Sequence, residues 1–93
     1  MIVGTLSLVI GIPEAFSLKD KRQVVKSLKD RIARRFNVSV AEVADLEIHN
    51  QATLGAAMVG NDAGYVEGGL QQVVNFVERD RRCVLTDFSI DVG

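Results

Sequence analysis

The first residues of the chain alternate between two faces, with the period of two that is typical of a β-strand. One face is entirely apolar and carries Leu6, Leu8, Ile10 and Ile12. Pro13 ends the predicted strand, because proline has no N–H group to donate to a sheet. The pattern predicts a β-strand over residues 2–12, followed by a short loop.

The next segment, from Ser17 to Phe36, changes to helical spacing. Its apolar residues follow one another at intervals of seven, three, four and four, and they are Leu18, Val25, Leu28, Ile32 and Phe36. Such spacing places them on one face of an α-helix. Ser17, with Asp20 three residues later, has the capping-box pattern of a helix start. Asn37 predicts the stop, since Asn tolerates the left-handed conformation that often ends helices.

The rest of the chain predicts two further strands, a second helix and a last strand. Val38 and Val40 begin a second strand whose end within residues 44–50 is left open, and residues 51–60 alternate as a third strand. Asn61 or Asp62 caps a second helix over about residues 63–79. Residues 83–92 alternate again as a last strand. The predicted order is strand, helix, strand, strand, helix, strand.

Two glycines interrupt the second predicted helix. Gly68 and Gly69 each cost about 1 kcal/mol relative to alanine in a helix interior. Gly69 lies on the apolar face, so close approach of a neighbouring element explains it. Gly68 has no such packing reason.

The order of elements predicts one α+β domain over residues 1–93, the ferredoxin-like βαββαβ arrangement. A four-stranded antiparallel sheet then carries both helices on one face. The residues expected beneath the helices are Leu6, Leu8, Ile10, Leu54, Met58, Phe88 and Ile90. The opposite, open face is left to Val3, Thr5, Val9, Thr53, Ala57, Val59 and Leu85. This open face is apolar and small-chained, which favours a homodimer or a docked partner there.

Composition excludes several classes of protein. The 93 residues are 47% hydrophobic and 25% charged, unlike a disordered chain. One cysteine and one histidine exclude an internal disulfide and a zinc cluster. The apolar stretch over residues 1–12 is about half the length of a membrane span, and it lacks the features of a signal peptide. We therefore expect a cytoplasmic protein without membrane contact or cofactor.

The charge is unevenly distributed along the chain. Residues 17–36 hold eight basic and two acidic residues, a net charge of +6, whereas the rest holds three basic and ten acidic residues, or −7. Four of the basic residues recur at helical spacing on the outer side of the first helix and form the basic stripe, namely Lys19, Arg22, Lys26 and Lys29. Arg31 and Arg35 flank the opposite edge of the apolar face. Such a stripe can follow a phosphate backbone, although it is also typical of a solvated helix.

The remaining candidate residues have simpler structural interpretations. Lys21 projects into the apolar face of the first helix, and we expect its stem to cover apolar surface while its ammonium reaches water. Pairing of Lys21 with a carboxylate such as Glu42 is an alternative. The polar residues near the second turn are interpreted as a solvent-facing hairpin tip rather than a metal site, and they are Glu42, Asp45, Glu47 and His49. Cys83 has no CxxC context and is interpreted as a packing residue.

Several motifs together resemble one known family. They are Ser17–Arg22 (SLKDKR), Arg35–Val43 (RFNVSVAEV), Leu54-Gly55 and Gly60–Asp62 (GND). Their order and extent resemble the YlxP-like family of small bacterial proteins of unknown function. The resemblance implies a ferredoxin-like fold and a bacterial cytosolic protein. Genes of that family often lie beside genes for translation and ribosome-maturation factors.

These observations favour a non-enzymatic module that associates with RNA or the ribosome through the first helix. RNA recognition by base stacking on the sheet, an activity of similar folds, is disfavoured because the predicted central strands carry no aromatic residue. An acylphosphatase-like activity is also disfavoured, because the loop at residues 13–16 has neither Gly nor Arg to bind phosphate. No catalytic residue is expected. The alternative is a homodimeric structural or small-ligand module without a role in nucleic-acid binding.

Overall fold

The computed structural model describes all residues, 1–93, and contains four strands and two helices. In chain order they are β1 (Ile2–Gly11), α1 (Leu18–Arg35), β2 (Ser39–Ala44), β3 (Gln51–Gly60), α2 (Ala63–Glu78) and β4 (Val84–Val92). The strands lie in the order β2-β3-β1-β4, with antiparallel pairing throughout. This is the ferredoxin-like α+β fold that the order of elements predicts.

Both helix starts are capped as their sequences predict. The Ser17 hydroxyl accepts a hydrogen bond from the Asp20 N–H at 3.1 Å, and the Asp20 carboxylate accepts one from the Phe16 N–H at 3.1 Å. At α2, the Asp62 carboxylate accepts from the Tyr65 N–H at 2.8 Å. These bonds satisfy N–H groups that have no partner inside the helix. Neither helix combines the length and apolar character needed to cross a membrane.

The helix α1 ends just before Asn37, as predicted, but Asn37 does not adopt the left-handed conformation expected of it. Asp45, with φ of 63°, is the only non-glycine residue with a positive φ. The chain instead leaves α1 at Phe36 in an extended conformation, with φ of −124° and ψ of 149°. The Phe36 ring meets the Phe76 ring edge to face at a centroid distance of 5.6 Å. A contact with α2 therefore accompanies the end of α1, and no left-handed residue is needed.

The hydrophobic core lies between the sheet and the two helices. The predicted core residues of β1 and β3 are buried, including Leu8 and Leu54 at 0% exposure. Ile90 is half-buried. Phe88 stands opposite Leu8 on the helix side but is 41% exposed, so its prediction as a core residue is wrong. The reason is position, because β4 is an edge strand whose outer margin no further strand covers.

The two glycines of α2 have different surroundings. A Cβ atom at Gly69 would lie 2.7 Å from the Met58 sulfur, so close approach to β3 explains this glycine. A Cβ atom at Gly68 would meet nothing within 4 Å. The structure confirms the packing reason expected for Gly69 and supplies none for Gly68.

A β-bulge in β4 changes the composition of the open sheet face. Val9 pairs with Asp87, but its neighbour Ile10 pairs with Leu85, which leaves Thr86 as the extra residue. Residues that pair across strands point to the same face, so Leu85 turns to the helix side, where it packs against the core. The prediction that Leu85 belongs to the open face is therefore wrong, because one inserted residue reverses the alternation.

The three valines predicted for the open face, Val3, Val9 and Val59, lie there in the structure. Val3 and Val59 pair with each other and are 40% and 52% exposed. From β4 the open face receives Asp87 and Asp91, which pair with Val9 and Thr5. The face is thus apolar on the central strands and acidic along the β4 edge.

Candidate nucleic-acid interface

The basic stripe occupies the side of α1 that faces away from α2. Arg22, Lys26 and Lys29 line one shallow groove of about 400 Å³, which Glu42 of β2 also borders. Lys19 lies one turn earlier on the exposed surface and is not part of this groove. The structure therefore brings three of the four stripe residues to one concave surface.

Two carboxylates beside this groove already have cationic partners. Lys26 Nζ lies 2.9 Å from Asp30 Oδ2, one helical turn away. The hydrogen bond from Lys26 has the largest effect on the pKa of Asp30, and together with the charges of Lys26, Arg34 and Lys29 it lowers that pKa despite the opposing effect of burial. Both partners are well exposed, so the pair adds little stability.

The buried Lys21 forms an ion pair with the other carboxylate, that of Glu42. Its side chain is only 1% exposed, and Nζ lies 2.9 Å from Glu42 Oε2. The ammonium also donates to the backbone carbonyls of Asp45 at 2.7 Å, Gln51 at 3.2 Å and Leu46 at 3.4 Å. The expectation that the ammonium reaches water is wrong, and the alternative pairing with Glu42 is found. Lys21 fastens the β2–β3 loop to α1.

Arg31 and Arg35 lie on the opposite flank of α1, against α2. Arg31 Nη2 donates to Asp80 Oδ2 at 2.7 Å, and its guanidinium carbon lies 5.9 Å from the centre of the Phe76 ring. The guanidinium carbon of Arg35 lies 5.5 Å from the Phe76 ring centre and 5.9 Å from that of Phe36. These distances are within the range of cation–π contacts.

The space between α1 and α2 forms a second basic concavity, here called the interhelical groove. It consists of three adjoining hollows of about 450, 220 and 310 Å³, all bordered by Arg35. Four arginines line it, and they are Arg31, Arg34, Arg35 and Arg79. No Asp or Glu side chain lines any of the three hollows.

Sequence reasoning missed part of this groove. It placed Arg31 and Arg35 only at the edge of the stripe and did not connect Arg34 or Arg79 with them. One available signal is Arg35 beside Phe36, together with Arg79 three residues after Phe76. Residues three apart are neighbours on a helix, so each helix end presents an arginine beside an aromatic ring.

Matches with known proteins place the chain in a family. Residues 3–90 match the model of the family described as "Protein of unknown function (DUF503)". The chain belongs to the DUF503 family. A similar protein is "Uncharacterized protein YlxP" of Bacillus subtilis (strain 168), which is 34% identical over 67 residues, or 72% of this chain and 73% of that protein.

The family match confirms the YlxP-like resemblance noted in the sequence. In this DUF503 chain the matched residues include the whole of α1 and α2 and all of β2 and β3. Both the basic stripe and the interhelical groove therefore lie within the region typical of the family.

The hairpin carboxylates of this DUF503 protein do not converge on one point. Glu42 pairs with Lys21, whereas the Asp45 carboxylate accepts hydrogen bonds from Thr53 Oγ1 at 2.6 Å and Gln51 Nε2 at 3.1 Å. The bond from Thr53, then that from Gln51, lowers the pKa of Asp45. Glu47 and His49 are exposed. Glu42 and Asp45 thus hold the loop structure, whereas Glu47 and His49 face solvent.

Cys83 lies near Asp80, in the segment between α2 and β4, and its side chain remains a protonated thiol. It is buried immediately before β4. Burial, followed by the negative charge of Asp80, raises the pKa of Cys83 to about 12. A thiol with this pKa is a poor nucleophile at neutral pH, which supports the interpretation of Cys83 as a packing residue.

Proposed function

We propose that this DUF503 protein is a non-enzymatic, cytoplasmic module that associates with RNA or ribosomal particles through the phosphate backbone. One observation carries the proposal. Of the eight basic residues of α1, only Lys21, Lys26 and Arg31 have a carboxylate within 4.0 Å. The five without one are Lys19, Arg22, Lys29, Arg34 and Arg35.

The shape of α1 suits an extended polyanion. Its 18 residues span about 27 Å, which is long enough to meet several consecutive phosphates. The unpaired cations occur on both exposed flanks of α1, one beside β2 and the other beside α2. A net charge of −1 for the whole chain then favours binding in one orientation, with α1 towards the nucleic acid.

The salt dependence of RNA binding tests this proposal. Each phosphate neutralised on a single strand contributes about −0.7 to the slope of log affinity against log salt. Contacts by about four cations predict a slope near −3, measured by fluorescence anisotropy with a labelled single-stranded RNA. Absence of binding at low salt, or binding without salt dependence, contradicts the proposal.

A double substitution locates the contacts on α1. Arg22→Gln with Lys29→Gln removes one exposed and one half-buried cation, neither of which has a carboxylate partner, so we expect the slope to decrease in magnitude by about 0.7–1 for each residue. Arg81→Gln with Arg82→Gln removes the same charge from the α2–β4 turn and serves as the control. Equal losses in both double variants would show that net charge, rather than α1, determines binding.

A second candidate function is supported by the open sheet face. Val3 and Val59 form an exposed apolar pair at one end of β1, and the half-buried Val9 lies on the same face towards the other end of that strand. Small side chains let a second sheet approach to about 10 Å. We propose, as the alternative, a homodimeric structural or small-ligand module joined through Val3, Val9 and Val59. Leu85 has no part in this surface, since it faces the helices.

Sedimentation tests the homodimer. We expect wild type at tens of micromolar to sediment as a dimer and Val59→Glu as a monomer, because the substitution buries a charge in the interface. Phe16→Glu changes an 83% exposed residue away from the sheet face and is the control. A monomeric wild type would contradict this alternative. A dimer that persists in Val59→Glu would show that the interface lies elsewhere on the protein.

A further inference from the structure

The largest hollow of the interhelical groove, about 450 Å³, has the features of a ligand pocket. It is here called the Gly68 hollow, and Phe36, Val38, Met58 and Tyr65 supply its apolar lining. Asn37 and Gln72 add side-chain amides. Pockets for small molecules have volumes of about 300–1,000 Å³ and combine apolar walls with a few polar groups.

Gly68 borders this hollow and places no side chain in it. No neighbouring atom requires a glycine there, since an added Cβ would meet nothing within 4 Å. Glycine in a helix interior is nevertheless unfavourable, because it loses more backbone entropy on folding than alanine. Its one structural consequence is the free space between α2 and the Arg35–Val38 segment, which a larger side chain would occupy.

The charge and the rings around the hollow select the class of ligand. Arg34, Arg35 and Arg79 border the groove without a carboxylate partner, and a guanidinium fits phosphate oxygens with two parallel hydrogen bonds. Three of the five aromatic residues of the chain line the same groove, namely Phe36, Tyr65 and Phe76. Phosphate and aromatic groups occur together in a nucleotide.

We propose that the interhelical groove holds one nucleotide of a single-stranded RNA, with its phosphate on Arg35 and Arg79 and its base in the Gly68 hollow beside Tyr65. This inference rests on the proposed function and names the form of RNA. A base reaches a recessed hollow only when it is splayed out of its stack, as in single strands, loops and bulges. The amides of Asn37 and Gln72 offer donors and acceptors to its edge.

Filling the hollow tests the proposal. Gly68→Leu is expected to lower the affinity for a labelled 12-nucleotide single-stranded RNA about tenfold, the scale of one lost base–aromatic stack. Its affinity for an RNA duplex of the same length should stay within about twofold, since every basic residue is retained. Gln71→Leu places the same side chain on α2 outside the hollow and serves as the control.

Tyr65 provides a direct signal for the base. It is the only tyrosine of the chain and is 65% exposed, so its ring protons are readily assigned by NMR. Stacking of a base on this ring predicts upfield shifts on adding single-stranded RNA to wild type, and their loss in Gly68→Leu. An acidic peptide of glutamates is added in parallel and is expected to leave the Tyr65 signals unchanged.

The outcomes separate the two proposals. If wild type binds neither form of RNA, both proposals fail. If it binds both with the expected salt dependence while Gly68→Leu and the Tyr65 signals show no change, only the groove proposal fails. Equal losses in Gly68→Leu and Gln71→Leu, or a response of Tyr65 to the acidic peptide equal to that with RNA, also overturn the groove proposal.

Gly68→Ala adds a test of why glycine is present. Alanine fits the free space and is the better helix former, so we expect a melting temperature about 4 °C higher than that of wild type. The same variant is expected to bind single-stranded RNA no more tightly than wild type. A lower melting temperature would show that Gly68 serves the fold, which contradicts its proposed role.

Discussion

Replacement of Lys21 by methionine is expected to lower the free energy of unfolding by about 3–5 kcal/mol, the cost of removing one partner from a buried ion pair. The ammonium contacts Glu42 and three backbone carbonyls, and its side chain is 1% exposed. Methionine fills the volume but supplies neither a hydrogen-bond donor nor a positive charge, so the 13% exposed Glu42 carboxylate is left without a counter-ion.

Urea denaturation followed by circular dichroism measures this loss. Lys29→Met makes the same chemical change at a half-buried lysine of α1 that has no carboxylate partner, and we expect a change within about 0.5 kcal/mol. Adding Glu42→Gln to Lys21→Met should restore part of the stability, because the uncompensated charge is removed. This double variant keeps the test decisive even if Lys21→Met alone is unfolded. A loss below about 1 kcal/mol in Lys21→Met would contradict the assigned role.

Replacement of Asp80 by asparagine is expected to destabilise the protein by about 2 kcal/mol at neutral pH, the scale of a hydrogen bond to a charged group. The Asp80 carboxylate accepts from Arg31 Nη2 at 2.7 Å and from the Arg82 N–H at 2.8 Å, and its side chain is 5% exposed. It joins α1 to the α2–β4 turn. Asparagine keeps the shape but not the charge that Arg31 requires.

The effect of Asp80→Asn depends on pH with a defined sign. Burial acts to raise the pKa of Asp80, but the hydrogen bonds from Arg31, Arg82 and Cys83 and the charge of Arg31 together outweigh it, and the pKa lies below the ordinary 3.8. A lowered pKa contributes stability above the ordinary value that is lost as pH falls through the folded value. The unfolding free energies of wild type and Asp80→Asn should therefore converge below about pH 4.

An exposed ion pair provides the control for Asp80. Asp30→Asn removes the partner of Lys26, which is 76% exposed, and surface pairs of this kind contribute little. We expect its unfolding midpoint at neutral pH to stay close to that of wild type. A constant difference between wild type and Asp80→Asn from pH 7 to pH 2 would show that Asp80 acts through packing rather than charge.

Local patterns in the sequence were sufficient for the elements and their starts. The alternation of residues 51–60 predicts β3 with its observed bounds, and Ser17 and Asp62 cap the helices as expected. These features depend on residues a few positions apart, whose geometry is set by backbone sterics and local hydrogen bonds. The concentration of positive charge on α1 is likewise a property of one contiguous segment.

The tertiary structure decided which of these groups meet. One extra residue at Thr86 turns Leu85 to the helix face. The sequence of β4 alone does not predict this bulge, because a bulge is a mismatch between two paired strands, here β1 and β4, which are far apart in the chain. Burial of Lys21 likewise depends on where the β2–β3 loop folds. Arg35 reaches the Phe76 ring only because α1 and α2 pack side by side. Periodicity predicts the face on which a residue lies only where the alternation is unbroken, whereas the partners of that residue follow from long-range packing, and so the interhelical groove is visible only in the folded chain.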